Sequence, residues 1–226
     1  MYKPTANSYF SGAGLMDIGL MQAGVDVKQS LDLDRNAVLA MKRNPQYFGH
    51  KIMLRDIKDI LVLEQERTDM IVGTYPCNHY SAIADLHDAR TGDDLFLHFF
   101  RHIAIHQPEM YVVENVPGMK KFKVVMEAMT ELPGYHINTF CPLNASLWLP
   151  QNRERLILIG TKKPFKIEQP TNNSKVATIK SLLEKDAQVR VNDTVIARLK
   201  GEYRDRPIIV DPEKLDSIAP TCVAHY

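Results

Sequence analysis

Pro76-Cys77 closes the stretch Asp69-Met-Ile-Val-Gly-Thr-Tyr-Pro-Cys77. Met70-Ile71-Val72 predicts a short buried strand, and the residues from Gly73 to Pro76 end it in a turn. The thiol therefore stands just past a strand's carboxyl end, where open α/β sheets bind ligands. A thiolate in that position can act as a nucleophile. A lone cysteine is also among the most buried residue types, so a structural Cys77 is the competing reading. Three other groups of polar or special residues stand at predicted strand ends or turns. Phe10-Ser-Gly-Ala-Gly14 follows a predicted strand over residues 5–10, Glu114-Asn115 follow one over 109–113, and Gln151-Asn-Arg-Glu-Arg155 precede one over 156–160.

The glycine turn leads into residues 15–24, where Leu15, Ile18, Leu20 and Met21 recur at roughly helical spacing and Gly24 suits a C-terminal cap. Glycines at such a turn let backbone approach a ligand, and the helix start offers free amides. The dinucleotide fingerprint G-x-G-x-x-G fails because Asp17 occupies its last position. A tight turn and a nucleotide or nucleoside site both remain open on these residues alone. The next predicted strand, 25–31, ends in Asp32-Leu33-Asp34. An acid about twenty residues after the glycine turn is placed to bond a ribose hydroxyl, while Asp34 suits the cap of a helix over 35–44.

Around these sites the chain alternates apolar strands with helical segments, including 95–106 and 120–131, and a last pair of strands spans 136–141 and 156–160. The pattern predicts an α/β protein with a three-layer, doubly wound, mainly parallel sheet. Residues 79–94 lack periodicity and read as a long polar loop, a lid directly after the cysteine. His98, His102 and His106 fall on one helical face with no carboxylate or Cys to complete a metal set, so a half-exposed face is expected. Lys120, Lys121 and Lys123 stand in the first turns of their predicted helix, against the helix dipole.

The 226 residues, 45% apolar and 24% charged, have ordinary globular composition. No apolar run approaches the ~18 residues of a membrane span, and the first seven residues lack a signal-peptide pattern. A soluble, cytoplasmic protein is expected. Three cysteines without ligand spacing indicate neither a disulfide framework nor a metal site. Residues 1–150 carry 14 Lys+Arg and 17 Asp+Glu, net −3, whereas 151–226 carry 14 and 10, net +4. The basic second part hints at a polyanion partner. After Gly160 the texture turns to Lys, Pro, Asn and Thr, which sets a boundary between a first domain at 1–160 and a linker with a small partial region at 161–226.

Taken in order, Phe10-Ser-Gly-Ala-Gly14, Pro76-Cys77, Glu114-Asn-Val116 and Gln151-Asn-Arg-Glu-Arg155 make the sequence resemble the cytosine-5 DNA methyltransferase family. Ala219-Pro-Thr221 is similar to a short motif of that family's target-recognition region. The resemblance implies a Rossmann-like S-adenosylmethionine-dependent fold acting on double-stranded DNA, in a restriction-modification or phage context. It implies Cys77 as the nucleophile that adds to carbon 6 of a flipped cytosine, with Pro76 shaping its turn. Glu114 would act at ring nitrogen 3 and the exocyclic amine, for which a raised pKa is expected. Arg155 would contact the base carbonyl, Arg153 would support that loop, and Asn115 would orient the cysteine turn. Phe10, Gly12, Ala13 and Gly14 would line the cofactor, with Asp32 on the ribose, Leu33 against the adenine, and Asp56 with Ile57 at the adenine edge.

The sequence departs from the family's pattern at Asn78, where Gln is usual, at Tyr75, at Leu33, where a bulky aromatic is frequent, and at Trp148. It also ends before the family's last motifs, which suggests a fragment, a second chain supplying the remainder, or a degenerate relative. An RNA (tRNA) cytosine-5 methyltransferase and a catalytically silent cofactor- or DNA-binding subunit are the alternatives. A Rossmann oxidoreductase fits worse, given Asp17 and the unexplained Pro-Cys.

Overall fold

The computed structural model describes residues 2–76, 94–171, 178–182, 193–200, 216, 218 and 219. Cys77, Asn78 and the expected lid up to residue 93 lie outside the described residues. The chain divides into two compact units, residues 1–143 with 155–168, and residues 144–154 with 169–226. The units interleave where a single boundary at 160 was expected, because 144–154 is an excursion between two strands of one sheet.

In the first unit the described elements run β1 (Thr5–Tyr9), α1 (Leu15–Gln22), β2 (Asp26–Asp32), α2 (Arg35–Lys42), β3 (Lys51–Leu54), β4 (Met70–Gly73), α3 (Asp94–His106), β5 (Met110–Asn115), α4 (Lys123–Thr130), β6 (His136–Asn144) and β7 (Glu154–Thr161). The seven strands form one sheet in the order β3-β2-β1-β4-β5-β7-β6. β3, β2, β1, β4 and β5 pair in parallel, and β7 runs antiparallel to β5 with Val112 opposite Ile159 and Glu114 opposite Ile157. The strand order reverses between β1 and β4. That is the switch point where a doubly wound sheet leaves a crevice outside its carboxyl ends.

Strand alternation divides the core between the two faces. Tyr9, Leu31, Ile71, Tyr111, Val113, Leu156 and Leu158 join Phe96, Phe99 and Ile103 of α3 and Met129 of α4 in the largest cluster. Ile18 and Met21 of α1 pack with Val38 and Met41 of α2 and Phe48, and Leu20 packs with Ala6, Val25 and Met70. Gly73, the last residue of β4, lies under the fully buried Phe99 ring, and a Cβ there would stand 2.3 Å from it. That close approach lets β4 turn toward Pro76 with the aromatic group Tyr9, Phe10, Tyr75 and Phe99 packed beneath.

Two expectations change and one strand comes unannounced. β3 carries no clear alternation in sequence and is partly exposed, yet it pairs with β2 and completes the sheet's edge. The histidine face of α3 is not half-exposed, since His102 is 0% and His106 6% exposed. His102 packs on the Tyr9 ring at 4.4 Å, and burial, helped by the Arg101 charge, pushes its pKa down to about 3. Among the described residues no His, Cys, Asp and Glu cluster could hold a metal. The predicted helix 120–131 breaks at Phe122, so Lys120 and Lys121 end a 3-10 turn, Pro117–Lys121, where cations suit the free carbonyls. No described helix is long and apolar enough to cross a membrane.

In the second unit Asn144 caps a 3-10 turn, Ala145–Leu147, by accepting from Ser146 N–H. Gln151 and Ala219 form a parallel bridge, with Asn152 N–H donating to Ala219 O and Ala219 N–H to Pro150 O, each at 2.7 Å. Pro220 and Thr221 lie outside the described residues. A 3-10 turn, Ile179–Leu182, and helix α5, Asp193–Lys200, complete what is described of this unit.

Gly73→Ala is expected to lower unfolding free energy by about 1–3 kcal/mol through overpacking against Phe99. Gly19→Ala, mid-helix with nothing within 4 Å of its added Cβ, is expected to raise it by up to about 1 kcal/mol. Urea denaturation of the two variants checks both signs.

Candidate active site

The turn after β1 is held by three neighbours. Phe10 and Gly12 take positive φ, 58° and 55°. That conformation is strained for a bulky residue and needs support from its surroundings. Thr74, just past β4, donates its hydroxyl to Phe10 O at 2.7 Å and its N–H to Tyr9 O at 3.3 Å. Ser11 N–H donates to Leu31 O on β2 at 3.0 Å. Gly12 N–H donates to Oδ2 of Asp32 at 2.7 Å, while Asp34 N–H donates to Oδ1 at 2.8 Å. Asp34 caps α2 by accepting from Ala37 N–H at 2.8 Å, as the sequence suggested.

Phe10, Leu31, Asp32, Leu33, Asp56 and Ile57 line a cleft of about 540 Å³ that also reaches Pro76. Five of the eight sequence-predicted cofactor residues therefore share one concavity. Gly12 joins it through its bond to Asp32. Gly14, at φ 83°, starts α1, and a Cβ on it would meet the Phe48 ring at 2.4 Å. Asp56 spends one oxygen on Lys58 N–H at 2.9 Å, capping the turn Ile57–Asp59. Arg35, Asn36, Arg55, Thr74 and Leu95 also line the cleft and were not singled out from sequence. For Thr74 a signal existed, a hydroxyl between the strand end and Pro76. Carboxylates beside exposed Leu33 and buried Ile57 suit a ligand that joins a hydroxylated sugar to a flat, weakly polar ring.

Next to this cleft the last two residues of β5 carry the second group. Asn115 is buried; its Nδ2 donates to Tyr75 O at 3.2 Å and its Oδ1 accepts from Val116 N–H at 2.8 Å. Tyr75 is fixed in turn by its hydroxyl on Met119 Sδ at 3.2 Å. Asn115 thus grips the residue two positions before Cys77. Glu114 faces the opposite way, and Arg155 at the start of β7 sets its Nε 2.7 Å from Oε1 of Glu114, both side chains being about one-fifth exposed, 19% and 22%. Arg153 belongs to the second unit, where its N–H donates to Oδ1 of Asn144 at 3.1 Å and its carbonyl accepts from Ala145 N–H at 2.9 Å.

A family model for C-5 cytosine-specific DNA methylases matches residues 5–213. The chain belongs to this family. Among its relatives, the Type II methyltransferase M.Bsp6I of Bacillus sp. (strain RFL6) is 32% identical over 165 residues, covering 68% of this chain and 50% of the relative. The Type II methyltransferase M.AquIA of Picosynechococcus sp. is 30% identical over 198 residues, covering 73% of this chain and 75% of the relative. The chain spans about half the length of several such relatives, including 48% of M.NgoFVII of Neisseria gonorrhoeae. The S. pombe Dnmt2 methyltransferase structure superposes with a TM-score of 0.71 at 17% identity, covering 96% of this chain and 69% of that one, which shows the shared Rossmann-like methyltransferase fold.

Thr74→Val keeps the side-chain shape but removes the donor to Phe10 O. The unsatisfied carbonyl is expected to cost about 1–3 kcal/mol of stability, read by denaturant unfolding, and to speed amide exchange at Ser11 and Gly12.

Proposed function

We propose that this chain carries the cofactor-binding and catalytic part of a DNA (cytosine-5-)-methyltransferase of the restriction-modification or phage type, working in the cytoplasm on double-stranded DNA. The observation that carries the reading is the meeting of two groups at neighbouring strand ends. Asn115 grips the turn that leads to Cys77, and the Glu114–Arg155 pair sits one residue back on β5. Residues 161–226 are the linker and partial target-recognition region in this reading, and the positive balance of 151–226 supports a polyanion partner.

The cleft fits S-adenosylmethionine. Its 540 Å³ suits a nucleoside-sized ligand, and the Asp32 carboxylate is already fixed by two backbone amides, so it meets sugar hydroxyls without reorganising. Phe10, Gly12, Ala13 and Gly14 hold one side, Leu33, Asp56 and Ile57 the adenine side. When bound, the cofactor supplies a methyl group made electrophilic by its sulfonium, and the activated cytosine carbon 5 takes it.

The remaining chemistry belongs to side chains. Carbon 5 of cytosine is a weak nucleophile, so the Cys77 thiolate forms a bond to carbon 6 and pushes the ring's electron pair toward carbon 5 and ring nitrogen 3. Glu114 holds a proton at nitrogen 3 and accepts from the exocyclic amine. Arg155 orients Glu114 and, with the base present, donates to its carbonyl. Removal of the carbon 5 proton by a base then restores the ring double bond and expels the Cys77 sulfur. The target base leaves the helix stack for this, because carbon 6 is covered within a duplex.

Incubation of the chain with labelled S-adenosylmethionine is expected to label duplex DNA; label entering tRNA alone overturns the DNA substrate. With S-adenosylmethionine present, a duplex containing 5-fluorocytosine is expected to trap the chain as a covalent adduct, because fluorine replaces the carbon 5 proton whose loss expels the sulfur; the adduct is seen as a mass shift, and Cys77→Ser is expected to abolish it. Glu114→Gln is expected to slow turnover about 10²–10⁴-fold. Cofactor binding with no adduct overturns the catalytic reading in favour of a silent subunit.

A further inference from the structure

A carboxyl group lies buried beneath the cofactor turn, and the chemistry above leaves it unused. Asp17, in the first turn of α1, has 0% exposure. Its Oδ2 accepts from Ser30 Oγ of β2 at 2.6 Å, and Ser30 Oγ also lies 2.6 Å from Nε2 of His50. A hydroxyl has one proton to give. With that proton on the carboxylate, His50 donates Nε2–H to Ser30. On the other side Ser11 Oγ donates to Ser8 Oγ at 2.9 Å, and both serines are buried. Burial pushes the Asp17 pKa up, and the hydroxyls of Ser30, Ser8 and Ser11, together with His50, oppose that push. Oδ1 of Asp17 has no hydrogen-bond partner among the described residues.

A buried, half-satisfied acid costs stability relative to an apolar side chain. An acid at a helix start gains from the dipole, but it gains that at the surface too, so the dipole does not explain the burial. Its location does. Ser11 stands between Phe10 and Gly12, two of the turn's positive-φ residues. Thr74 holds that turn from β4 and Asp32 from the end of β2. Asp17 reaches it from below through Ser30, the residue before Leu31, whose carbonyl accepts from Ser11 N–H.

We propose that Asp17 is a positioning residue for the cofactor: by accepting from Ser30, the neighbour of the Leu31 carbonyl that holds Ser11 N–H, it keeps the Phe10–Gly14 turn in its ligand-binding shape at a cost in stability. The proposal rests on the reading of this turn as the S-adenosylmethionine site. Calorimetric titration of the whole chain with S-adenosylhomocysteine tests it. Asp17→Ala and Ser30→Ala are each expected to weaken binding about tenfold, the worth of one good hydrogen bond, with stoichiometry unchanged. Asp17→Asn, which keeps an acceptor for Ser30, is expected within about threefold of the wild type. No binding by the wild type overturns the cofactor reading itself. Wild-type binding with unchanged affinity in both alanine variants overturns the positioning role. So does a fall in stoichiometry at constant affinity, because a merely structural residue lowers the folded fraction and leaves the folded site alone. Asp17→Asn as weak as Asp17→Ala overturns the assignment to hydrogen-bond acceptance.

Discussion

Two backbone amides from different turns converge on the carboxylate of Asp32, Gly12 N–H on one oxygen and Asp34 N–H on the other. Hydrogen bonds to an ionised acceptor are roughly twice as strong as neutral ones. Through this one side chain the turn after β1 and the turn after β2 are tied at the crevice where the sheet's strand order reverses. Phe10 inherits its place from that tie. Its carbonyl meets Thr74, and its ring faces both the cleft and the buried aromatic group under β4. Loosening the carboxylate would therefore move the cleft and the turn before Cys77 together.

The direction of β7 decides the second half of the site. Because β7 runs antiparallel to β5, its first residues lie beside the last residues of β5, with Asn115 opposite Leu156 and Glu114 opposite Ile157. Arg155 then follows within reach of Glu114. A parallel strand would have delivered the arginine to the far end of the sheet. Side chains alternate along β5, so Asn115 turns toward Tyr75 and Glu114 to the other face. Adjacent residues thereby serve two tasks, one holding the cysteine turn and one meeting the arginine.

Much of this was legible in sequence, for physical reasons. The strands leading to Cys77 and Glu114 are apolar runs bounded by turn residues, and buried parallel strands read that way. Asp34 declared itself as a cap, whereas the bond from Gly12 N–H to Asp32 was not foreseen, because their spacing alone does not say that the two turns meet. β3 was missed because an edge strand that is partly exposed has no strong periodicity. The α3 histidines were misjudged because one polar residue per turn looks like a solvated face until Tyr9 is known to lie against it. The lysines at 120 and 121 changed meaning once Phe122 split the predicted helix. Asp17 was visible only as the residue that spoiled a dinucleotide fingerprint, since nothing local announces that Ser30 and His50 will surround it.

By itself, the sequence determined the residue types and their places at strand ends: a thiol after a proline, a Glu-Asn pair, an arginine before a strand, and glycines before a helix. Those follow from local periodicity and turn chemistry, which are written in short stretches. Only the tertiary structure decided which of them meet. The antiparallel setting of β7, the β1–β4 neighbourhood that joins Thr74 to Phe10, and the burial of Asp17 all depend on contacts between segments distant in the chain. Such contacts arise from pairing register and packing of the whole sheet, and no short window of sequence carries that information.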